Sequence, residues 1–230
     1  MTAAAIRRGR PGESGLLFSR GCCIGVVVLL LLCAAALVLQ VRMTAVPELG
    51  AAPVGPSDGS NSAAIATALA RRVATQLIQT GAAGAVVLLS ERDLTTLAAQ
   101  YNPDPESFTD VAVRARGGQL WVSADHHLGP LPVVVTARVS PVFQPGGSLD
   151  VDIQEIDVGD QAIPGFMQSA VDPRGSAVVS LNGLLNSTAL DVYGLECVSV
   201  VPNRGIELGF HAPLRAAETG YCAAHPLAAG

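Results

Sequence analysis

Lysine is absent from this chain of 230 residues, and all 14 basic side chains are arginine. Together with so much alanine, glycine and valine, that absence goes with a GC-rich bacterial genome. Charge is scarce at 14% of residues, and beyond Arg42 nine arginines stand against eighteen acids, a net charge of −9. A segment of that sign has no electrostatic basis for gripping nucleic acid or lying flat on anionic lipid. Aromatics are only 4% of the chain, so an apolar core falls to Val, Leu, Ile and Ala. No Cys-x-x-Cys or His-x-x-x-His spacing occurs, nor a phosphate loop, nor a defensible Ser/His/Asp set. A literal Gly-x-Ser-x-Gly, Gly55-Pro-Ser57-Asp-Gly59, sits in a Pro/Gly-rich stretch and not between a strand and a helix, where a nucleophile elbow belongs. The expectation is a protein with no enzymatic site, no cofactor and no metal.

What the chain does have is one long apolar run. From Gly21 to Val41 there is no charge, and Gln40 is the one polar side chain. As a helix these about 21 residues reach ~31 Å, the thickness of one hydrocarbon core. Arg20 and Arg42 bracket the run and can snorkel into headgroups. A cleaved secretory signal has a shorter apolar core and a small-x-small site after it, whereas Ala34 and Ala36 lie inside this run. The reading is a retained single-pass anchor. Arg7, Arg8, Arg10 and Arg20 precede it, which puts the N-terminus in the cytoplasm and the rest outside a bacterial cell membrane. The organisation expected is a disordered cytoplasmic tail (1–20), a transmembrane helix (21–41), a flexible Pro/Gly/Ser linker (42–60), an extracytoplasmic domain (61–212) and a patternless tail (213–230).

Cys22, Cys23 and Cys33 fall in or beside the apolar run. Cys197 and Cys222 remain outside, and an even pair in an oxidising compartment reads as one disulfide. Free thiols, or a zinc site with His211 or His225, are the alternatives.

In the domain, Ile65, Leu69, Val73 and Leu77 recur every four residues, with Ile78 beside them. This predicts a helix over 62–80, capped by Ser62 and closed by Gly81. Val86–Leu89 suits a short strand. Ser90 and Asp93 form a capping box for a second helix over 91–100, with Leu89 and Leu94 as a hydrophobic staple.

From residue 107 the period becomes two. Val111, Val113 and Ala115 share one face, and Arg114 and Arg116 the other. Gly117-Gly118 marks a tight hairpin. Leu120, Val122 and Ala124, then Val133, Val135, Ala137 and Val139, then Leu149, Val151 and Ile153 continue an antiparallel meander with one apolar face. Ile156 and Val158 change parity, which predicts a bulge near Glu155. A short helix is expected over Phe166–Val171, with a restart from Ser176 toward Leu185. A last hairpin is expected around "PNRG", before Ile206, Leu208 and Phe210.

The adjacent His126 and His127 point to opposite sheet faces and cannot share one ion. Asp150 and Asp152 read as the solvated side of a strand, with Asp157 and Asp160 extending the acidic run. Asn186-Ser-Thr188 fits a glycosylation acceptor, relevant only to a eukaryotic secretory pathway.

The order anchor, helix, strand, "LSERDL", meander, hairpin resembles the YpmS-like family of membrane-anchored bacterial proteins, whose domain is similar to tubular lipid-binding (TULIP) folds. The residues that carry it are Leu89 to Leu94, the stretch from Gly117 to Pro141, Gly147 to Leu149, Gly159, and Ile163-Pro164, over about residues 60–211. Family members often have Asn where this chain has Thr95 or Thr96. The resemblance implies a curved antiparallel sheet wrapped along a long amphipathic helix, an apolar ligand or lipid, and no catalytic residues.

The fold class expected is therefore α+β, TULIP-like, behind a transmembrane helix. The helix stripe Ile65, Leu69, Val73 and Leu77 is set against Val113, Val122, Val135 and Val151 as candidate lining of an apolar groove. Lipid or another apolar ligand in that groove is the first reading. A non-enzymatic envelope interaction module with a filled core comes second, and an enzyme third. Both of the first two readings bury the same eight residues.

Overall fold

The computed structural model describes residues 15–43, 53–128, 131–144, 149–163, 182–184, 190 and 192–212. The expected helix over 166–171, the glycosylation triplet at 186–188, the N-terminal tail up to residue 14, Pro164, Gly147, and the C-terminal tail with Cys222 and His225 lie outside these residues; of the helix expected from Ser176 toward Leu185, residues 182–184 are described and are helical. The chain divides into two units, Met1–Arg42 and Met43–Gly230.

In the first unit a single helix, α1, runs Gly15–Met43, 29 residues. It begins before the expected span and ends just after it. Among the residues whose side chains are described, which on α1 begin at Val28, no helix is long and apolar enough to cross a membrane. Val28–Leu32, Leu37–Leu39 and Val41 present exposed apolar side chains.

The second unit begins its regular structure with α2 (Ser62–Thr80). Its cap is Asn61 and not Ser62: the Asn61 side chain accepts the Ala64 N–H at 2.9 Å. Ser62 instead ties the start of α2 to the end of the next helix. Its N–H donates to Gln100 Oε1 at 2.7 Å, and its Oγ accepts from Tyr101 Oη at 3.2 Å. Gly81 closes α2 as expected, at φ 61°, donating to the Leu77 carbonyl. Ile65, Ala66, Leu69 and Val73 are buried, Leu77 only partly so, and Ile78 is 82% exposed. Ile78 comes five residues after Val73, about 140° around the helix, so it leaves the stripe.

Strand β1 (Gly84–Ser90) leads directly into α3 (Glu91–Gln100). Ser90 caps α3 by accepting the Asp93 N–H, and Leu89 and Leu94 both enter the core. The Ser90 cap and both helix spans agree with the sequence pattern, while the Asp93 carboxylate meets the Ser90 hydroxyl and the Asp58 N–H.

Five strands follow: β2 (Phe108–Arg116), β3 (Gln119–Leu128), β4 (Leu131–Phe143), β5 (Leu149–Val158) and β6 (Gln161–Ala162). They form one antiparallel sheet in sequence order. Gly117 and Gly118 both take positive φ, 56° and 80°, which a two-residue hairpin of matching twist demands. The ladder between β4 and β5 slips between Arg138 and Val139, leaving Gln154 as the extra residue. The bulge is thus one residue from the expected Glu155, and it restores Ile156 to the apolar face opposite Ala137. A second bulge in β2, between Thr109 and Ala112, puts Asp110 at φ 49°.

The last hairpin is β7 (Gly194–Val201) and β8 (Gly205–His211). It does not extend the meander. β8 pairs with β1, giving a separate three-stranded antiparallel sheet of order β1-β8-β7. The fold is α+β with two antiparallel sheets and few helices. β7 packs on β4 and β2, so the two sheets share one core. Among the described residues, α2 packs on β1 and α3, and so on the three-stranded sheet. The described residues thus show two antiparallel sheets sharing one core of Val, Leu and Ile, and do not show a sheet wrapped along a long helix. Within the three-stranded sheet β8 is the central strand, and Gly205–Phe210 along it are all buried.

Candidate functional site

All eight candidate groove residues belong to one continuous apolar cluster. Ile65, Leu69 and Val73 are fully buried, Val113, Val135 and Val151 nearly so, and Leu77 and Val122 pack against them half-buried. The cluster also holds Leu89, Leu97, Ile206, Leu208 and Phe210, which come from the three-stranded sheet and its helices. Val122 pairs with Val113 across β2–β3 and with Ala137 across β3–β4. Among the described residues, the helix that carries the stripe packs chiefly on β1.

Polar groups gather where β1 passes into α3. Glu91, the first residue of α3, is 1% exposed although charged. Its Oε1 accepts the Ala115 N–H at 2.8 Å, and its Oε2 accepts the Val54 N–H at 3.1 Å. Its own N–H donates to the Arg204 carbonyl in the β7–β8 turn at 3.0 Å. One residue thus joins the free edge of β2, the turn of the last hairpin and the segment before α2. Thr95, one helical turn on, accepts the Val113 N–H at 2.9 Å and reaches the Val113 carbonyl at 3.5 Å. The Asn203 N–H donates to the Ala115 carbonyl at 2.7 Å. The β2 edge is therefore closed by side chains and a turn, which blocks strand addition there.

The same junction holds residues 54–58, expected to be free spacer. Asp93 is fully buried, and its Oδ1 accepts the Asp58 N–H at 2.8 Å. Ser90 Oγ donates to the Pro56 carbonyl at 2.8 Å and lies 2.9 Å from Asp93 Oδ2. Arg72 on α2 pairs with the Asp58 carboxylate and donates to the Leu88 carbonyl at 3.0 Å. Burial pushes the Asp58 carboxyl above its ordinary range; Arg72 works against this and the nearby Asp93 adds to it. Gly55, at φ +106°, lies against Ser90, where a Cβ would come within 2.7 Å of the Ser90 Cβ. Ser57 takes no part in any elbow; its Oγ donates to the Gly59 carbonyl. Beside this segment lies an open cleft of about 400 Å³, lined by Asp58, Ala63, Ala64, Thr67, Ala68 and Arg71.

On the outer face of the five-stranded sheet, Arg114, Trp121, Arg138 and Glu155 stand side by side across β2–β5. Arg138 lies 5.0 Å from the Trp121 ring centroid, pairs with Glu155 and comes within 3.7 Å of Asp157. Burial raises the Asp157 carboxyl above its ordinary range, with Glu155 adding to it. Burial likewise lowers the Arg114 guanidinium, partly offset by Glu91. Arg114 is 7% exposed, where alternation placed it on an open polar face.

His126 stacks on Phe108 with ring centroids 4.5 Å apart and its Nδ1 meets the Ser107 carbonyl, while His127 is exposed. Asp150, Asp152 and Asp160 are exposed. Cys197 on β7 is disulfide-bonded, and its expected partner Cys222 is outside the described residues; Cys33 is free.

Searches against protein-family models, curated proteins and solved structures find no match for this chain.

Sequence reasoning missed Glu91 as a keystone. The signal was there in "LSERDL", but a carboxylate in the first turn of a helix normally reads as a solvated partner of the helix dipole.

Proposed function

We propose that this chain is a single-pass, membrane-anchored envelope protein whose outer domain is a non-enzymatic interaction module with a filled core. The observation that supports the reading is that Ile65, Leu69, Val73, Val113, Val135 and Val151 lie buried in one apolar cluster to which both sheets contribute, with Leu77 and Val122 packed against it. A binding groove needs such residues to line a void of several hundred Å³. The uncharged run from Gly21 to Val41 within α1, and the arginines before it, support an anchor with its N-terminus in the cytoplasm. The YpmS-like resemblance is compatible with that placement.

A second reading is an apolar ligand held between the sheets, as a TULIP-like domain would hold lipid. It is favoured by Val122 and Leu77, which reach the core yet stay half-buried.

Native mass spectrometry of the full chain, purified from its host in mild detergent and followed by lipid extraction, tests the two. No stoichiometric lipid, and a Val122→Trp variant destabilised by ~1–3 kcal/mol through overpacking, is the result expected. Bound lipid whose uptake Val122→Trp abolishes without loss of stability overturns the filled-core reading. Protease treatment of spheroplasts tests the anchor separately: an outer domain protected along with cytoplasmic markers refutes the orientation, and a mature chain starting beyond residue 36 refutes retention.

A further inference from the structure

Residues 54–58 have the composition of a spacer and the bonding of a structural element. Between Val54 and Asp58, two backbone N–H groups and one carbonyl end on Glu91, Asp93 and Ser90, and the Asp58 side chain ends on Arg72. The receiving groups are Ser90 at the end of β1, Glu91 and Asp93 in the first turn of α3, and Arg72 on α2. None depends on what precedes Val54.

The geometry points to Val54–Asp58 as a releasable strap that sets the length of chain between α1 and the outer domain. The inference rests on α1 being the anchor only for its consequence, not for the strap itself. Docked, the strap lets the domain stand no farther from α1 than the chain before Val54 permits. Released, it adds the residues up to Asn61, ~25 Å more reach for an extended chain.

Release is physically accessible. Three hydrogen bonds and one ion pair oppose the ordering of five residues, and these opposing contributions are of similar size. The groups left behind are not stranded. With Val54 lifted away, Glu91 Oε2 meets water while Oε1 keeps the Ala115 N–H; with Asp58 lifted away, Asp93 keeps Ser90. Ion pairing of Asp58 with Arg72 holds the far end, where the side chains are partly open to solvent. Gly55 is the point at which the chain touches α3 most closely. Its positive φ and its contact with Ser90 exclude a larger residue while the strap is docked.

Hydrogen exchange on the full chain in lipid nanodiscs tests this, with the Ala115 amide as the reporter of the fold. In the wild type, the Val54 and Asp58 amides should exchange at least about tenfold slower than an open chain, and well ahead of Ala115. Gly55→Val should abolish protection at Val54 and Asp58 and leave Ala115 protected. Unprotected Val54 and Asp58 amides in the wild type overturn the strap, as does unchanged protection in Gly55→Val. Loss of Ala115 protection together with the other two shows the segment to be inseparable from the fold, and overturns release. Exchange reads the strap whether or not α1 spans the bilayer, so failure of the anchor reading, seen by protease accessibility, stays distinct.

Discussion

Ala115, near the end of an edge strand, donates its N–H to the carboxylate of Glu91 at 2.8 Å. The bond takes the place of a neighbouring strand. With Thr95 and Asn203 it ends the five-stranded sheet at β2, and it holds α3 in register with that edge.

Glu91→Ala should therefore cost far more than an ordinary surface change. It leaves the Ala115 N–H without its acceptor in a buried place, frees Val54, and takes away the charge that favours the buried Arg114. A loss of ~2–4 kcal/mol is expected, since each stranded buried donor costs about 1–3 kcal/mol. Glu91→Gln should lose less, because its amide oxygen can still receive Ala115. Urea unfolding of the full chain in detergent measures both; an alanine variant within ~0.5 kcal/mol of wild type would show the carboxylate to be idle.

Thr95→Asn should stabilise the same edge. Thr95 must serve both the Val113 N–H and carbonyl with one oxygen, and the carbonyl contact is stretched to 3.5 Å. Asn182 shows what an amide does in that role: it accepts the Leu149 N–H at 2.9 Å and donates to the Leu149 carbonyl at 2.7 Å. A gain of ~0.5–1 kcal/mol is expected for one hydrogen bond improved from strained to good. A shift of the urea midpoint to lower concentration would refute the analogy.

How far these features could be read in advance depends on their range. Gly81, Gly117-Gly118, the Ser90–Asp93 box and the strand alternation act within a few residues, and they were legible. The bulge near Glu155 was visible as a change of parity in Ile156. The pairing of β1 with β8 was not, because it joins segments more than a hundred residues apart and either strand could have taken another edge. Nor was the burial of Glu91, Asp93 and Arg114, since a charge in the sequence reads as solvent-facing until its partners from elsewhere are known. The docking of Val54–Asp58 was hidden by its own composition: Pro, Gly and Ser serve a spacer and a tight strap equally well.

Asp157 gives the domain a defined pH response. Its pKa is raised in the folded state, mainly by burial, so the folded form holds the proton more tightly than the unfolded form. The resulting stabilisation is full below the ordinary carboxyl value of 3.8 and is lost as pH rises through the higher folded value. Asp157→Asn removes that loss, while Arg138 keeps Glu155. The variant should equal or exceed wild type at pH 7, by up to ~1 kcal/mol, and its advantage should vanish at low pH. Asp58 has the same sign and remains in both proteins, so the difference between them isolates Asp157. Melting temperatures from pH 3 to 8 measure it; an advantage that grows toward acid would contradict the sign.

Cys197 is already engaged in a disulfide, and the proposed partner is Cys222. The bond would tie the segment after β8 back to β7, the strand that packs on β4 and so joins the two sheets. It closes a loop of about 25 residues, worth ~3.5 kcal/mol in the chain-entropy model. Non-reducing peptide mapping of the exported protein should recover the two cysteines in one linked fragment, and two free thiols, or Cys197 linked to Cys22 or Cys23, would refute the pairing. Reductant should lower the urea midpoint of the wild type and leave a Cys197→Ser/Cys222→Ser double variant unchanged. If instead reductant still weakens the double variant, the stabilising bond lies elsewhere in the chain.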